Sequence, residues 1–167
     1  MDDRAFTTAE IVAVSGVPEK SITNWTGRKL LAVGERHFTG RRLFSVEDAI
    51  RLAAMHDLTV RVPIGPTDVA QAAEVIVRQV IKHAPRDAAG HPLFTLDAVP
   101  ATVALALAVE DGLTCVGLID PTQPGYAVWP GPWARAHVVV PIAAMLMDVS
   151  YRLIELTDRR EPELGFR

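Results

Sequence analysis

Ser15-Gly16-Val17-Pro18-Glu19-Lys20-Ser21-Ile22-Thr23-Asn24-Trp25 is the stretch whose reading decides the fold. Gly16 stops one helix, and Pro18, with its φ already near a helical value, suits the first turn of the next. No side-chain cap precedes that proline. Ile22 and Trp25 are three apart and face inward together, which leaves Lys20, Ser21, Thr23 and Asn24 nearer the open side. Gly27 then ends the second helix. Two short helices across a glycine turn, the second with a polar outer face, match the layout of a helix-turn-helix that reads DNA.

Upstream, Thr7-Thr8-Ala9-Glu10 forms a capping box: the Thr7 hydroxyl accepts from the N–H three residues on, and the Glu10 carboxylate returns the bond. Ile11, Val12 and Val14 supply that helix's apolar stripe. Downstream, Leu30-Leu31-Ala32-Val33 and Arg42-Leu43-Phe44 read as two extended pieces flanking a basic tip from Gly34 to Arg41. Ser45-Val46-Glu47-Asp48 is a second capping signature, after which Ala49, Ile50, Leu52, Ala53 and Met55 continue a third helix. Helix, turn, helix, β-hairpin and helix make a winged helix-turn-helix.

The net charge of −3 over 167 residues argues against a uniformly basic nucleic-acid binder, but the charge is unevenly placed. Residues 18–44 hold six cations (Lys20, Arg28, Lys29, Arg36, Arg41, Arg42) against Glu19 and Glu35. From Leu58 onward, nine Lys or Arg face twelve Asp or Glu. The pattern is a basic head on a mildly acidic body. Lys20 and Asn24 lie one helical turn apart, Asn suiting a bidentate contact to adenine and Lys suiting guanine or phosphate. The plainer alternative is a solvated helix face. Trp25, on the stripe of Ile22, reads as core and not as a wedge into DNA. Arg41 and Arg42 are neighbours on a strand and point opposite ways, so one faces a groove while the other holds a phosphate or a carboxylate such as Glu47. His37 at the tip could bond a phosphate.

In order and spacing, Phe6-Thr7-Thr8-Ala9-Glu10-Ile11, Gly16-Val17, Leu30-Leu31 and Gly40-Arg41-Arg42-Leu43-Phe44-Ser45-Val46-Glu47-Asp48 with Leu52 resemble the DNA-binding domain of the MerR family of bacterial regulators. The resemblance covers about a third of the chain, and excisionases and small phage DNA-packaging proteins share the same winged unit. It implies that Lys20, Ser21 and Asn24 lie at or near the major groove and that Thr7, Arg41 and Arg42 contact phosphates. With Thr23, Arg28 and His37 these make the candidate DNA-binding set. It also implies a homodimer on an inverted repeat of double-stranded DNA. Where the family often carries two tyrosines late in the second helix, this chain has Asn24-Trp25.

The remainder reads as a small α+β domain. Two prolines and a glycine within 61–66 mark a boundary, giving a winged domain over 1–60 and a dimerisation or sensing domain over 67–160. Thr67-Asp68 caps a helix from Val69 to about Ala84 whose wide apolar face (Val69, Ala72, Ala73, Val75, Ile76, Val80, Ile81) calls for more than one neighbour. The family's longer coiled-coil helix is not visible at this place. Short apolar pieces at 93–96, 101–109, 113–119 and 126–129 read as antiparallel strands, with a hairpin turn at Glu110-Asp111-Gly112. Val138-Val139-Val140 precedes Pro141, which opens a final helix through about Leu156 on the stripe Ile142, Met145, Leu146, Val149, Leu153 and Leu156. The aromatics and prolines of 126–133 either close the end of the sheet or line a pocket or partner surface.

No paired acid and base, phosphate-cradling glycine loop or nucleophile motif is present, so no catalytic residue and no cofactor are expected. His56, His83, His91 and His137 are scattered without metal-ligand spacing, and the single Cys115 sits in an apolar run, so no metal site is expected either. The N-terminus lacks a signal-peptide pattern, and the longest apolar runs fall short of the roughly 20 residues of a membrane span. The expectation is a cytoplasmic, sequence-specific transcriptional regulator, with an effector, if any, unspecified. Two other classes fit the same residues: a mobile-element or phage factor for excision, packaging or DNA architecture, and a protein-interaction module whose winged domain no longer binds DNA.

Overall fold

The computed structural model describes residues 6–38, 40–83, 88, 104–110, 113–119 and 136–160. Its elements in order are α1 (Thr8–Ser15), α2 (Glu19–Gly27), β1 (Glu35–Arg36), β2 (Arg42–Leu43), α3 (Val46–Arg61), α4 (Pro66–His83), β3 (Ala104–Glu110), β4 (Leu113–Ile119), β5 (Ala136–Pro141) and α5 (Ala143–Arg160). The class is α+β, with a two-stranded antiparallel sheet in the first part and a three-stranded antiparallel sheet, order β4-β3-β5, in the second.

Both capping boxes form. Thr7 Oγ1 accepts from the Glu10 N–H while Glu10 Oε2 accepts from the Thr7 N–H at 2.7 Å. Ser45 Oγ accepts from the Asp48 N–H at 3.1 Å, and Asp48 Oδ2 accepts from the Ser45 N–H at 3.0 Å. Gly16 ends α1 in the left-handed region, φ 70°, where a side chain would be strained. Pro18 stands at the N-cap of α2, one residue before the helix, with no side-chain cap.

Helix α2 is terminated differently from the expectation. Gly27 is still helical, and the left-handed residue is Lys29, φ 57°. The Lys29 N–H donates to Thr26 O at 3.1 Å and the Leu30 N–H to Trp25 O at 2.9 Å, the paired bonds of a Schellman motif. The first hairpin piece is also displaced. Leu30 to Val33 is not a strand, although its alternation is real: Leu31 and Val33 are buried and Ala32 is exposed. The ladder instead lies further on, with Glu35 opposite Leu43 and Arg36 opposite Arg42. Phe44 leaves the hairpin and exchanges two backbone hydrogen bonds with Phe6, of 2.9 and 3.1 Å, tying the chain before α1 to the chain before α3.

Helix α3 is the wall on which the other helices meet, in contact with α1, α4 and α5. Ala49, Ile50, Leu52, Ala53, Ala54, Met55 and Leu58 are all buried. Helix α4 begins at Pro66, since proline fits a first turn, and its wide apolar face meets both α3 and β4. One cluster of buried residues runs from Phe6 through Trp25, Leu52 and Ile76 to Leu153, so the segment at 62–65 interrupts the helices but not the packing. Final helix α5 starts at Ala143, later than expected, because Pro141 belongs to β5 opposite Ala104. As the last residue of an edge strand, Pro141 has no inner ladder to break. The stripe holds as read: Ile142, Leu146, Val149 and Leu153 are buried, and Met145 and Leu156 pack against them.

Strands β3 and β4 pair from Ala104 opposite Ile119 to Glu110 opposite Leu113. The expected strands at 93–96 and 126–129, the turn residues Asp111 and Gly112, and the aromatic stretch 126–133 lie outside the described residues. Among the described residues, no helix is long and apolar enough to cross a membrane.

Candidate nucleic-acid interface

Burial sorts the second helix as its spacing requires. Ile22 and Trp25 face the core, while Lys20, Thr23 and Asn24 are exposed and Ser21 is half-buried. Thr26 turns its hydroxyl back to the carbonyls of Ile22 and Thr23, at 2.9 and 3.1 Å, which leaves Lys20, Thr23 and Asn24 as the free outer face of α2. Glu19 is exposed beside Lys20 in the first turn. Arg28 and Lys29 extend from the far end of the helix, both exposed.

The hairpin tip is closed by two short backbone bonds, His37 N–H to Arg41 O and Gly40 N–H to His37 O, each 2.8 Å. Gly40 has φ 80°, a conformation that favours glycine. Arg36 and Arg41 are exposed. Arg42 is half-buried, and its aliphatic stem lies over Gly34, so of the two neighbouring arginines Arg41 is the one that reaches solvent. The half-buried His37 holds its ring centroid 4.0 Å from that of Phe38, which is 92% exposed.

Thr7 is exposed, but its hydroxyl donates to Glu10 Oε2 at 2.8 Å and its N–H goes to the same oxygen. A phosphate there would have to displace the helix cap. The remaining predicted residues fall into two groups: Lys20, Ser21, Thr23, Asn24 and Arg28 on α2, and His37, Arg41 and Arg42 on the hairpin. The end of α2 and the root of the hairpin border a common cleft of about 480 Å³, lined by Thr26, Gly34, Glu35, Arg42, Glu47 and Asp48 among others. Its carboxylates make it a poor seat for an anion.

Ion pairs engage some of the cations and leave others open. Arg51 is bound to Asp48 and Glu74, Arg61 to Asp57 and Arg152 to Asp148. Among the described residues, no ion pair engages Lys20, Arg28, Lys29, Arg36, Arg41 or Arg42. Among the described residues, Arg78 and Lys82 on α4 are likewise exposed without an ion pair, so unpaired cations are concentrated between Lys20 and Arg42 but not confined there. Residue-by-residue reading of the sequence passed over Arg36 and Phe38 as contact residues. The available signal was an aromatic placed inside a glycine-bounded basic stretch.

The hairpin is held by a polar relay at its root. Asp48, 8% exposed, accepts from the Gly34 N–H at 3.1 Å and from Arg51 Nη1 at 2.9 Å, and Arg51 Nε donates to Glu74 Oε1 on α4 at 2.6 Å. Among the described residues, no group of His, Cys, Asp and Glu is arranged to hold a metal ion. No protein-family model and no curated protein matches this sequence.

Proposed function

We propose that this protein is a sequence-specific DNA-binding regulator of MerR-like type, cytoplasmic and non-enzymatic, in which residues 6–61 act as a winged helix-turn-helix. Helix α2 is the recognition helix, reading base edges in the major groove through Lys20 and Asn24, with Ser21 and Thr23 beside them. The hairpin is the wing, and Arg36 and Arg41 bind phosphates; Arg28 does so from the end of α2. The observation that carries the reading is a concentration of charge: six cations between Lys20 and Arg42 engage no carboxylate, whereas Arg51, Arg61 and Arg152 are paired and only Arg78 and Lys82 on α4 join the unpaired group among the described side chains. Leaving the six unpaired raises the local potential toward a polyanion. A homodimer on an inverted repeat completes the proposal, and α4, β3 to β5 and α5 supply the body that carries the two reading heads.

The test is selection of double-stranded DNA fragments by the full-length protein across a salt series, followed by anisotropy titrations on the recovered site. Lys20→Ala is expected to weaken binding and relax base preference at one position. Arg41→Ala weakens binding to all sequences and reduces the slope of log K against log salt by about 0.9 for one lost phosphate contact. Recovered sites lying outside promoters would turn the reading to an excision or packaging factor. Absence of binding even at low salt would end it.

A further inference from the structure

Phe38 is the most exposed large hydrophobic side chain among the described residues, at 92%, and it sits at the tip of the hairpin. An aromatic ring held out in water on a surface loop is unfavourable unless something covers it. Here it is also held in place. The turn beneath it is closed by the two 2.8 Å backbone bonds between His37 and its partners Gly40 and Arg41. The His37 ring leans on it at 4.0 Å, tilted 45°. Arg36 stands just before the pair and Arg41 across the turn, three residues after Phe38, both exposed. Two adjoining rings inside a collar of unpaired guanidinium groups form a surface that is apolar at its point and cationic around it.

That distribution selects the partner. An apolar protein groove would leave the collar unpaired and desolvated. A base step of duplex DNA offers the complement, an apolar stack between two rows of phosphates. We propose that Phe38 is a wedge: the hairpin enters the minor groove, the Phe38 ring inserts partway between two stacked base pairs, and Arg36 and Arg41 hold the flanking phosphates. The duplex kinks toward the major groove at that point. Pyrimidine–purine steps, which unstack most readily, are the preferred place, so the wedge adds a sequence preference at a step touched by no hydrogen bond. The inference rests on the DNA-binding reading above and deepens it.

The experiment compares the wild-type full-length protein with Phe38→Ala and Phe38→Leu on a duplex of the recovered site. The duplex is end-labelled for resonance energy transfer and carries 2-aminopurine at the step beneath the hairpin. Because Phe38 is exposed, both variants are expected to keep the wild-type unfolding temperature. Wild type shortens the end-to-end distance and raises 2-aminopurine fluorescence. Phe38→Leu keeps most of both signals, and Phe38→Ala loses both and binds about tenfold more weakly. The salt slope stays at the wild-type value in each variant, since no phosphate contact is removed. Wild-type bending and affinity in Phe38→Ala would overturn the wedge while leaving DNA binding intact. Failure of the wild type to bind duplex DNA at low salt would remove both readings. Phe38-dependent sedimentation with anionic phosphatidylserine vesicles, without DNA bending, would assign the tip to a membrane surface and overturn the proposal.

Discussion

Replacing Asp48 by alanine removes the joint that holds the hairpin root to α3. Its Oδ2 accepts two backbone N–H groups, from Ser45 at 3.0 Å and Gly34 at 3.1 Å, and its Oδ1 accepts Arg51 at 2.9 Å. Loss of its half of the capping box costs about 1 kcal/mol. The partly buried Gly34 N–H is left without an acceptor, at roughly 1 kcal/mol or more. Arg51, whose side chain is 13% exposed, keeps only Glu74, and the lost charged hydrogen bond adds about 1 kcal/mol after the gain in solvation is allowed for. The contributions share one carboxylate and are not strictly additive, so the expected loss is about 3 kcal/mol. Against a total stability of about 5–15 kcal/mol this is a large fraction, equivalent to a fall in Tm of roughly 6–12 °C.

Urea unfolding of the full chain measures it, with Glu74→Gln as the control. Glu74 is 44% exposed, so solvent screens its bond to Arg51 and the control loses less than about 1 kcal/mol. Hydrogen exchange adds a local readout, because the Gly34 amide is expected to exchange faster in Asp48→Ala and to remain protected in Glu74→Gln. An Asp48→Ala loss no larger than that of Glu74→Gln, or an unchanged Gly34 amide, would refute the reasoning.

Gly34→Ala and Gly40→Ala separate backbone strain from crowding. Gly40, φ 80°, faces open space and its replacement costs about 1 kcal/mol, whereas at Gly34, φ 66°, the new Cβ would lie 2.7 Å from Phe44 Cε1 and Arg42 Cγ, for a total of roughly 2–4 kcal/mol by chemical denaturation. Equal losses at the two positions would contradict this. Lys29→Gly relieves the left-handed strain at φ 57° but loosens the unfolded chain, for a net gain of roughly 0.5 kcal/mol; a decrease in the urea midpoint would show that the Lys29 side chain contributes more than its backbone costs.

Local chemistry was legible in the sequence and long-range pairing was not. Thr7 with Glu10 and Ser45 with Asp48 are three residues apart, so both caps can be read from the chain alone. The α3 and α5 stripes are equally explicit, since period alone decides which side is buried. The end of α2 misled because Gly27 advertises a stop, while the backbone takes its left-handed turn at Lys29, a residue with no propensity for it. Leu31 and Val33 alternate as a strand does, yet burial sets that alternation without any ladder partner among the described residues. Pro141 resembles a helix start, and only the order of strands explains why it can close an edge strand instead. At the candidate interface the positions of the cations could be read, but not which of them are neutralised. Glu74 lies 23 residues from Arg51, and no spacing rule joins them.

The same relay bears on how the second part of the chain could influence the first. Helices α4 and α5 both pack on α3, and their buried side chains belong to one cluster with those of α1 and α2. A close-packed cluster of this kind transmits the strain of one helix to those packed against it. Arg51 adds a directional connection, because a displacement of α4 that moves Glu74 pulls on the guanidinium that also holds Asp48, and Asp48 holds the Gly34 N–H where the hairpin begins. A ligand seated against α4 therefore acts on the angle of the hairpin only to the extent that it binds one position of α4 more tightly than another. The connection runs equally in reverse: under the proposed function, duplex DNA gripping the hairpin would bias the position of α4 by the same free energy.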